Sequence, residues 1–367
     1  MHSIAQRLEV LKEAGLRREL MIPDGIDLSS NDVLGLAGDP VIAQAVCAAL
    51  EKGLPTGSTG SRLLSGHDDH WTSLEQLFAA WQRRQASLFF SSGYAANIGL
   101  LAGLIEPGDV VLSDELNHAS IIDALRLSKG RVEIVPHNDL EAYQRALEDA
   151  PAGAWIVVES VFSMDGDCAP LEALARLAKS HHARLIIDEA HSTGLYGQTG
   201  AGRCSELPAG FAPFASLHPC GKALGLSGAF VCADRQTIDL LVNKARSFIY
   251  STAPTPMLAP ALTAAVQKIQ DLGSLRTRPL DLAEQLRTRI GSRFDVGTSQ
   301  SQIVPIILGS VERTQQVSTK LAAKGWCLRA LRPPTVPPGT SRLRIVLRAD
   351  LSDAQFEKLV EDLLDVA

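Results

Sequence analysis

The chain has 367 residues, of which 46% are hydrophobic and 21% are charged, a balance typical of a globular protein that excludes a disordered one. Its net charge of −6 gives no basis for a nucleic-acid partner or an anionic membrane surface. The length exceeds that at which a single core stops growing, so we expect more than one domain.

The cysteines point to a reducing compartment. All six are scattered without paired spacing, which favours reduced thiols over a disulfide framework or a zinc site. No stretch has the apolar length of a membrane span, and the N-terminal residues lack the continuous apolar core of a signal peptide. We therefore expect a cytoplasmic protein with no nucleic-acid and no membrane partner.

The N-terminal part, residues 1–36, is predicted as an amphipathic helix that ends near Gly15 and is followed by an extended segment. A second helix is predicted over Val41–Lys52. The loop Gly57–Gly66 is rich in glycine and hydroxyl side chains, which lets backbone amides approach an anion. The same composition equally suits a solvent-exposed loop.

Residues 37–256 are predicted as a large α/β domain, because short apolar runs alternate with helical patterns. Pro170 precedes the clearest helix, Leu171–His181. A helix opening at Gly93 has N-terminal N–H groups that suit a phosphate. The predicted strands are Ser87–Phe90, Val110–Leu112, Val132–Val135, Trp155–Val158, Leu185–Ile187, Ala215–Leu217 and Ala229–Cys232.

Residues 257–367 are predicted as a smaller α+β domain. The proline-rich loop Arg332–Gly339 is expected to be stiff, and Arg342 and Arg344 share one face of the strand after it. The predicted strands are Ile303–Leu308, Cys327–Leu331 and Leu343–Leu347. The predicted helices are Leu258–Leu272, Asp281–Ile290, Gln315–Lys324 and Asp353–Leu364.

Three polar residues follow two of the predicted strands. Asp188 ends the strand Leu185–Ile187, His191 follows on a turn, and Lys222 comes after the next strand. Ligands of open α/β sheets bind at the carboxyl ends of strands. A desolvated lysine suits a Schiff base, and a carboxylate suits a ring nitrogen that stays protonated, so this combination indicates pyridoxal phosphate. Taken singly, each residue is equally at home in an ordinary loop.

The Asp-x-x-His turn, the downstream lysine and the proline loop together resemble the α-oxoamine synthases. These are fold-type I pyridoxal-phosphate enzymes that join an amino acid to an acyl thioester with loss of carbon dioxide. The resemblance implies a mostly parallel seven-stranded sheet between helices, a smaller α+β C-terminal domain and a homodimer with its active site at the subunit interface. It runs through Ser30–Leu36, Gly57–Gly66, Ser92–Asn97, Asn117–Ser120, His137–Asp139, Val161–Asp167, Asp188–Gly194, Gly221–Lys222, Ile249–Thr252 and Arg332–Arg344.

Within that family, the Ser-Thr-Gly after His191 and the Arg-Pro-Pro-Thr-Val-Pro loop favour L-alanine and a pimeloyl thioester as substrates, in biotin biosynthesis. The acyl carrier is coenzyme A or a carrier protein. One alternative is another family member that uses glycine, serine or a different acyl donor. A second is a non-catalytic partner subunit with the same fold. A metal hydrolase using His181 and His182 has little support, because adjacent helix residues do not share a face.

The resemblance implies that Lys222 binds the cofactor covalently and removes the Cα proton, and that Asp188 pairs with the ring nitrogen. It implies that His191 bonds the phenolic oxygen and that His118 stacks on the ring. Without the resemblance, His118 suits a helix cap or a core position as well. Further cofactor contacts are implied for the backbone amides of Gly93 and Tyr94, for Ser163, and for Thr252 of the neighbouring subunit.

For the substrates, the resemblance implies that Arg342 binds the amino acid's carboxylate with help from Asn31, and that Arg17 contacts the far end of the acyl chain. Arg342 could instead be a surface charge. One departure concerns the phosphate, because the family usually has Thr or Ser where this chain has Pro219, which has no donor. Either His218 replaces that donor, or the Gly93 turn and Thr252 suffice.

Overall fold

The computed structural model describes residues 3–366. Its strands are β1 (Ile26–Asp27), β2 (Ala86–Phe90), β3 (Val110–Asp114), β4 (Arg131–Val135), β5 (Trp155–Glu159), β6 (Arg184–Asp188), β7 (Ala215–Pro219), β8 (Ala229–Ala233), β9 (Ile303–Gly309), β10 (Trp326–Cys327), β11 (Ala330–Leu331) and β12 (Ser341–Val346). Its helices are α1 (Ile4–Glu13), α2 (Pro40–Glu51), α3 (Asp69–Trp81), α4 (Gly93–Leu104), α5 (Ala119–Ser128), α6 (Leu140–Asp149), α7 (Leu171–Ser180), α8 (Arg235–Lys244), α9 (Arg246–Ile249), α10 (Leu258–Asp271), α11 (Arg278–Ile290), α12 (Val311–Ala323) and α13 (Asp353–Asp365).

The predicted mostly parallel sheet is confirmed. In the described chain, the seven strands β2 to β8 form one sheet in the order β2-β8-β7-β6-β5-β3-β4. Neighbouring strands run parallel from β7 through β4, whereas β8 runs antiparallel to both β2 and β7. Each of the seven strands predicted for this sheet lies inside an observed one, and the structure extends several of them to a polar residue at the carboxyl end.

Helices cover both faces of this sheet. In β6, Ile186 packs in a core shared with α4, α5 and α8, whereas Leu185 and Ile187 pack in a second core shared with α6 and α7. A strand buried on both faces needs apolar side chains at every position, which is why these strands read as continuous apolar runs. Helices thus cover both faces of the sheet, so a ligand can bind only where the strands end.

The chain divides into two compact units. The large unit comprises Leu34–Phe162 and Cys168–Thr277, and the C-terminal unit comprises the chain up to Val33, Ser163–Asp167 and the chain from Arg278 onward. The predicted boundaries near residues 36 and 257 therefore differ from the structure. Helix α10 belongs to the large unit because its buried face packs with α2, where Lys268 also pairs with Asp39 at 2.5 Å.

The C-terminal unit contains a three-stranded antiparallel sheet, β11-β12-β9, packed with α11 and α13. The N-terminal segment joins this unit because β1 pairs in parallel with β10 and Leu28 is buried in the same core. The predicted strand Cys327–Leu331 is wrong as one element, because β10 pairs with β1 whereas β11 pairs with β12. Among residues 3–366, no helix is both long and apolar enough to cross a membrane.

Candidate active site

A cavity of about 360 Å³ opens in the large unit where β5, β6 and β7 end. Its wall includes the side chains of His118, Glu159, Asp188 and Lys222, together with Gly93 at the start of α4. The parallel strands bring these residues together although they are far apart in the sequence, because their carboxyl ends meet at one edge of the sheet. The cavity therefore collects most of the predicted cofactor residues.

Lys222 lies on a short loop between β7 and β8. The loop is held by two backbone hydrogen bonds, from Cys220 N to the Gly228 carbonyl at 2.8 Å and from Leu226 N to the Cys220 carbonyl at 2.9 Å. The Lys222 amine is half-buried, and its Nζ lies 3.0 Å from Nε2 of the buried His191. An amine and an imidazole at this distance can exchange a proton.

Asp188 is the last residue of β6 and is only 6% exposed. Its Oδ1 accepts a hydrogen bond from the backbone N–H of Ala190 at 2.9 Å, and its Oδ2 accepts one from Asn97 Nδ2 at 2.9 Å. A buried carboxylate needs such donors to remain charged. Two donors thus hold the Asp188 carboxyl group in place in the cavity wall.

His118 caps α5, as one alternative from the sequence allowed, and it also lines the cavity. Its Nδ1 accepts a hydrogen bond from Ser120 N at 3.2 Å, and its own backbone N–H donates to Glu159 Oε1 at 2.6 Å. Burial lowers the pKa of the His118 imidazole, and the positive charge of Lys222 lowers it further, against the opposing charge of Asp188. The ring is therefore neutral at neutral pH.

Glu159 ends β5 beside Asp188, its partner in the register of the sheet. The side chain is fully enclosed. Burial raises the pKa of Glu159 to about 8, and the charge of Asp188 adds to that rise while Lys222 opposes it. Two neighbouring carboxyl groups at one buried edge cannot both ionise at low cost, so Glu159 keeps its proton at neutral pH.

The start of α4 forms another part of the wall. Ser92 caps this helix by accepting from Ala95 N at 3.0 Å, and the helix itself leaves the N–H groups of Gly93 and Tyr94 without carbonyl partners. A side chain at position 93 would approach Pro219 Cγ to 3.0 Å, so glycine permits close packing here. The Tyr94 hydroxyl donates to Asp123 Oδ2 on α5.

His218 does not replace the missing phosphate donor. Its ring is fully buried, with Nδ1 2.8 Å from Thr193 Oγ1 and Nε2 2.8 Å from Ser216 Oγ. Burial lowers the pKa of His218 to about 3, so the ring is uncharged. Because strand residues alternate between faces, the side chain of His218 points away from that of Pro219. The first alternative for the phosphate is therefore wrong.

The donor set of the cavity fits pyridoxal phosphate. A fixed carboxylate, a half-buried amine and a helix N-terminus match, in turn, a protonated ring nitrogen, an aldehyde and a phosphate. Within residues 3–366, no three His, Cys, Asp or Glu side chains are grouped in a way that could hold a metal ion.

Thr252 lies in the large unit, exposed, just after α9. The glycine-rich loop Gly57–Gly66 packs beside it, since Ala253 N donates to the Gly60 carbonyl at 2.9 Å and Ser58 Oγ donates to the Pro254 carbonyl at 3.1 Å. The loop is therefore tied to this segment of the chain. Thr252 itself does not belong to the wall of the Lys222 cavity.

The C-terminal unit holds the remaining predicted residues. Arg342 is not a surface charge, because its side chain is 5% exposed and forms an ion pair with Asp165. Its neighbour on the same face, Arg344, donates from Nη2 to Asn31 Oδ1 at 2.9 Å and from Nε to the Ser163 carbonyl. Asn31 thus contacts Arg344, while its predicted role beside Arg342 at the amino acid's carboxylate stays a prediction.

Arg17 also lies in the C-terminal unit and is exposed, with its Nε 3.5 Å from Glu19 Oε1. Its neighbour Arg18 donates to Thr335 Oγ1 at 2.8 Å, which connects the N-terminal segment to the proline-rich loop. The contact predicted for Arg17, with the far end of an acyl chain, stays a prediction.

Three polar residues of the large-unit site were not singled out from the sequence. Glu159 is the first polar residue after the apolar run of β5, which is the same signal that identified Asp188. Asn97 lies one turn after Gly93 on α4, and Ser120 lies two residues after His118. The segments that contain Asn97 and Ser120 contributed to the family resemblance, but no spacing rule pointed to these two side chains.

Comparisons with known proteins agree with this geometry. Residues 23–363 match the aminotransferase class I and II family. The chain is 39% identical to 8-amino-7-oxononanoate synthase of Geobacter sulfurreducens, over 98% of this chain and 96% of that protein. It is 41% identical to 8-amino-7-oxononanoate synthase of Anaeromyxobacter dehalogenans, over 96% of this chain and 92% of that protein.

Solved structures share the fold. The serine palmitoyltransferase of Sphingomonas wittichii superimposes with a TM-score of 0.91 at 26% identity, covering 99% of this chain and 96% of that one. A serine palmitoyltransferase from S. paucimobilis, solved with bound PLP, gives a TM-score of 0.90 at 26% identity with the same coverage of both chains. The 8-amino-7-oxononanoate synthase of Francisella tularensis gives 0.79 at 26% identity, covering 93% and 96% of the two chains.

Proposed function

This chain belongs to the aminotransferase class I and II family, and we propose that it condenses L-alanine with a pimeloyl thioester in a pyridoxal-phosphate-dependent reaction. The products are 8-amino-7-oxononanoate, carbon dioxide and a free thiol, which places the reaction in biotin biosynthesis. The observation that carries the proposal is the single cavity that holds Lys222, Asp188 and His118. The relatives named 8-amino-7-oxononanoate synthase, which are similar over nearly the whole chain, support this choice of substrates.

Pyridoxal phosphate supplies, when bound, a protonated ring that accepts the electron pair released as a bond at the amino acid's Cα breaks. Lys222 would hold its aldehyde carbon, and the N–H groups of Gly93 and Tyr94 would hold its phosphate. Asp188 would face its ring nitrogen, with a charge kept in place by Ala190 N and Asn97. His118 would lie against its ring.

The protein's own groups move the proton. Lys222 takes the Cα proton on Nζ and later returns a proton to the product carbon. His191, 3.0 Å from that amine, orients it and shares its proton between these steps. We propose this role for His191 beside the predicted bond to the phenolic oxygen. Holding the reacting groups in one orientation selects which Cα bond breaks.

For the amino acid's carboxylate we propose Arg344 in place of Arg342. Arg342 is committed to an ion pair with Asp165. Arg344 donates to Asn31, the residue expected to assist in this contact. A guanidinium and an amide side by side offer several donors to one carboxylate. Arg17 and Ser163 keep their predicted roles as proposals.

We also propose a homodimer in which Thr252 of each subunit reaches the phosphate held by its neighbour. The exposed position of Thr252, outside the wall of its own cavity, supports this arrangement. Sedimentation of the purified protein measures the assembly. We propose the cytoplasm as its location, consistent with six free cysteines in the structure.

The test is a turnover assay with purified protein and pyridoxal phosphate. L-alanine with pimeloyl-CoA or a pimeloyl carrier protein should yield 8-amino-7-oxononanoate by mass spectrometry, together with equal amounts of carbon dioxide and thiol. Glycine and L-serine, each with pimeloyl and palmitoyl thioesters, form the comparison set. Faster turnover of a comparison pair would assign a different amino acid or acyl donor. Absence of cofactor binding, read from the visible spectrum, would indicate a non-catalytic subunit.

A further inference from the structure

A buried amide joins two parts of the cavity wall. Asn97 on α4 is 3% exposed, and its Nδ2 donates to Asp188 Oδ2 at 2.9 Å and to Ser120 Oγ at 2.9 Å. An ionised carboxylate only accepts hydrogen bonds, so the amide nitrogen, and not its oxygen, must face Asp188. Both hydrogens of that nitrogen are used, one by each neighbour.

The next two hydrogen bonds join Ser120 to His118. The backbone N–H of Ser120 donates to His118 Nδ1 at 3.2 Å, so this nitrogen carries no proton. Ser120 Oγ lies 2.8 Å from the same Nδ1, and because that nitrogen can only accept, the hydroxyl is the donor while its oxygen accepts from Asn97. The proton of the neutral His118 ring is therefore on Nε2.

We propose that Asn97 and Ser120 are positioning residues that hold His118 in its Nε2–H tautomer and couple its ring to the charge of Asp188. This rests on the proposed use of both side chains around the cofactor. Asp188 orients the Asn97 amide, Asn97 orients the Ser120 hydroxyl, and Ser120 orients the imidazole. The bond from His118 N to Glu159 at 2.6 Å holds the backbone of the same residue.

The coupling has a chemical consequence. The His118 imidazole is fixed as a hydrogen-bond donor at Nε2, the nitrogen that can face the cofactor ring. Rotation or tautomer exchange of His118 would break its bonds to Ser120. A hydrogen-bond chain that ends on Asp188 also depends on the charge of that carboxylate. Protonating Asp188, or removing Asn97, would therefore weaken the tautomer preference of His118, which lies on the connection between β3 and α5.

The experiment uses the holoenzyme labelled with ¹⁵N-histidine. The ¹⁵N shifts of the two ring nitrogens identify the tautomer, and a His118→Gln variant assigns the signals. Wild type should show a single Nε2–H form for His118. Ser120→Ala removes the hydroxyl donor, and Asn97→Leu removes the amide at similar volume. Both should give mixed tautomers and lower kcat by about tenfold or more, with the KM for L-alanine changed less than threefold.

Ser128→Ala is the matched control. Ser128 is a buried serine of the same helix whose hydroxyl donates to the Leu125 carbonyl at 2.7 Å, away from His118. It should leave the tautomer and kcat unchanged. An unchanged His118 tautomer in Ser120→Ala would overturn the proposal, whatever happens to kcat. Because Ser120→Ala is a small change, the test remains valid even if Asn97→Leu fails to fold.

The tautomer is read without turnover. A wild-type protein that binds pyridoxal phosphate and shows the fixed tautomer, yet fails to condense L-alanine with a pimeloyl thioester, would overturn the proposed function and support the positioning role. A protein that turns over while His118 is an Nδ1–H or mixed form in wild type would support the function and overturn the positioning role.

Discussion

The large unit and the C-terminal unit each contain a polar region, the Lys222 cavity in the first and the arginine pair on β12 in the second. The two regions differ in what brings their residues into position. In the cavity, Asp188 and Lys222 follow strands whose ends the topology must bring together. On β12, Arg342 and Arg344 are equivalent by spacing and both are buried. Their contacts distinguish them, since Arg342 pairs with Asp165 whereas Arg344 donates to Asn31 and to the Ser163 carbonyl. The topology of the sheet thus brings the cavity residues together, whereas individual contacts distinguish the two arginines.

The largest effect is expected at the centre of the cavity. Lys222→Ala removes the amine that would bind the aldehyde and carry the Cα proton, so kcat should fall on the order of 10³-fold or more. Single-turnover and steady-state assays measure this loss. Lys268→Ala is the control. It removes an amine of α10 that pairs with Asp39, and it should keep kcat within threefold. Near-normal turnover in Lys222→Ala would remove the basis for the site.

The arginine comparison gives the next largest effect. Arg344→Ala should raise the KM for L-alanine about 100-fold, since charge-assisted hydrogen bonds contribute about 1.5–3 kcal/mol. Arg342→Ala should instead lower the free energy of unfolding by about 2 kcal/mol, because Asp165 loses its partner. Steady-state kinetics and urea unfolding of both variants separate these outcomes. The reverse pattern would return the carboxylate role to Arg342.

A smaller effect, a gain in affinity for pyridoxal phosphate, is expected from a substitution at Pro219. Pro219→Thr adds a hydroxyl donor beside Gly93, and one added hydrogen bond to a charged group should lower the Kd for pyridoxal phosphate about tenfold. Titration of the apoprotein, followed by absorbance, measures the Kd. Pro219→Ala removes the proline ring without adding a donor, and should not tighten binding. Equal gains in both variants would mean that ring removal, and not the hydroxyl, is responsible.

The last prediction concerns stability and pH. The pKa of Glu159 is raised to about 8, so the folded protein keeps a proton that the unfolded chain loses near its usual pKa. Its contribution is present below the unfolded pKa and is lost as the pH rises through about 8. Over this window the free energy of unfolding should fall by up to about 1.4 kcal/mol per pH unit.

Glu159→Gln should flatten that slope, and urea unfolding at several pH values between 5 and 9 measures it. Glu148→Gln, at an exposed position on α6, is the control and should keep the wild-type slope. A wild-type slope retained in Glu159→Gln would mean that Glu159 is ionised in the folded protein.

The sequence by itself determined the large-unit sheet and placed the candidate cofactor residues at its edge. Apolar runs buried on both faces need no knowledge of their partners to be read as strands, and a polar residue directly after such a run must lie at a strand end. Asp188, His191 and Lys222 were accessible in this way, and Glu159 carried the same signal.

Tertiary structure alone decided the rest. The place of α10 in the large unit, the splitting of Cys327–Leu331 into β10 and β11, and the choice between Arg342 and Arg344 depend on which surfaces meet in space. The direction of the hydrogen bonds from Asn97 likewise exists only once α4, α5 and β6 are packed together. Local patterns record which side chains are buried, whereas partners distant in the chain are fixed by the fold.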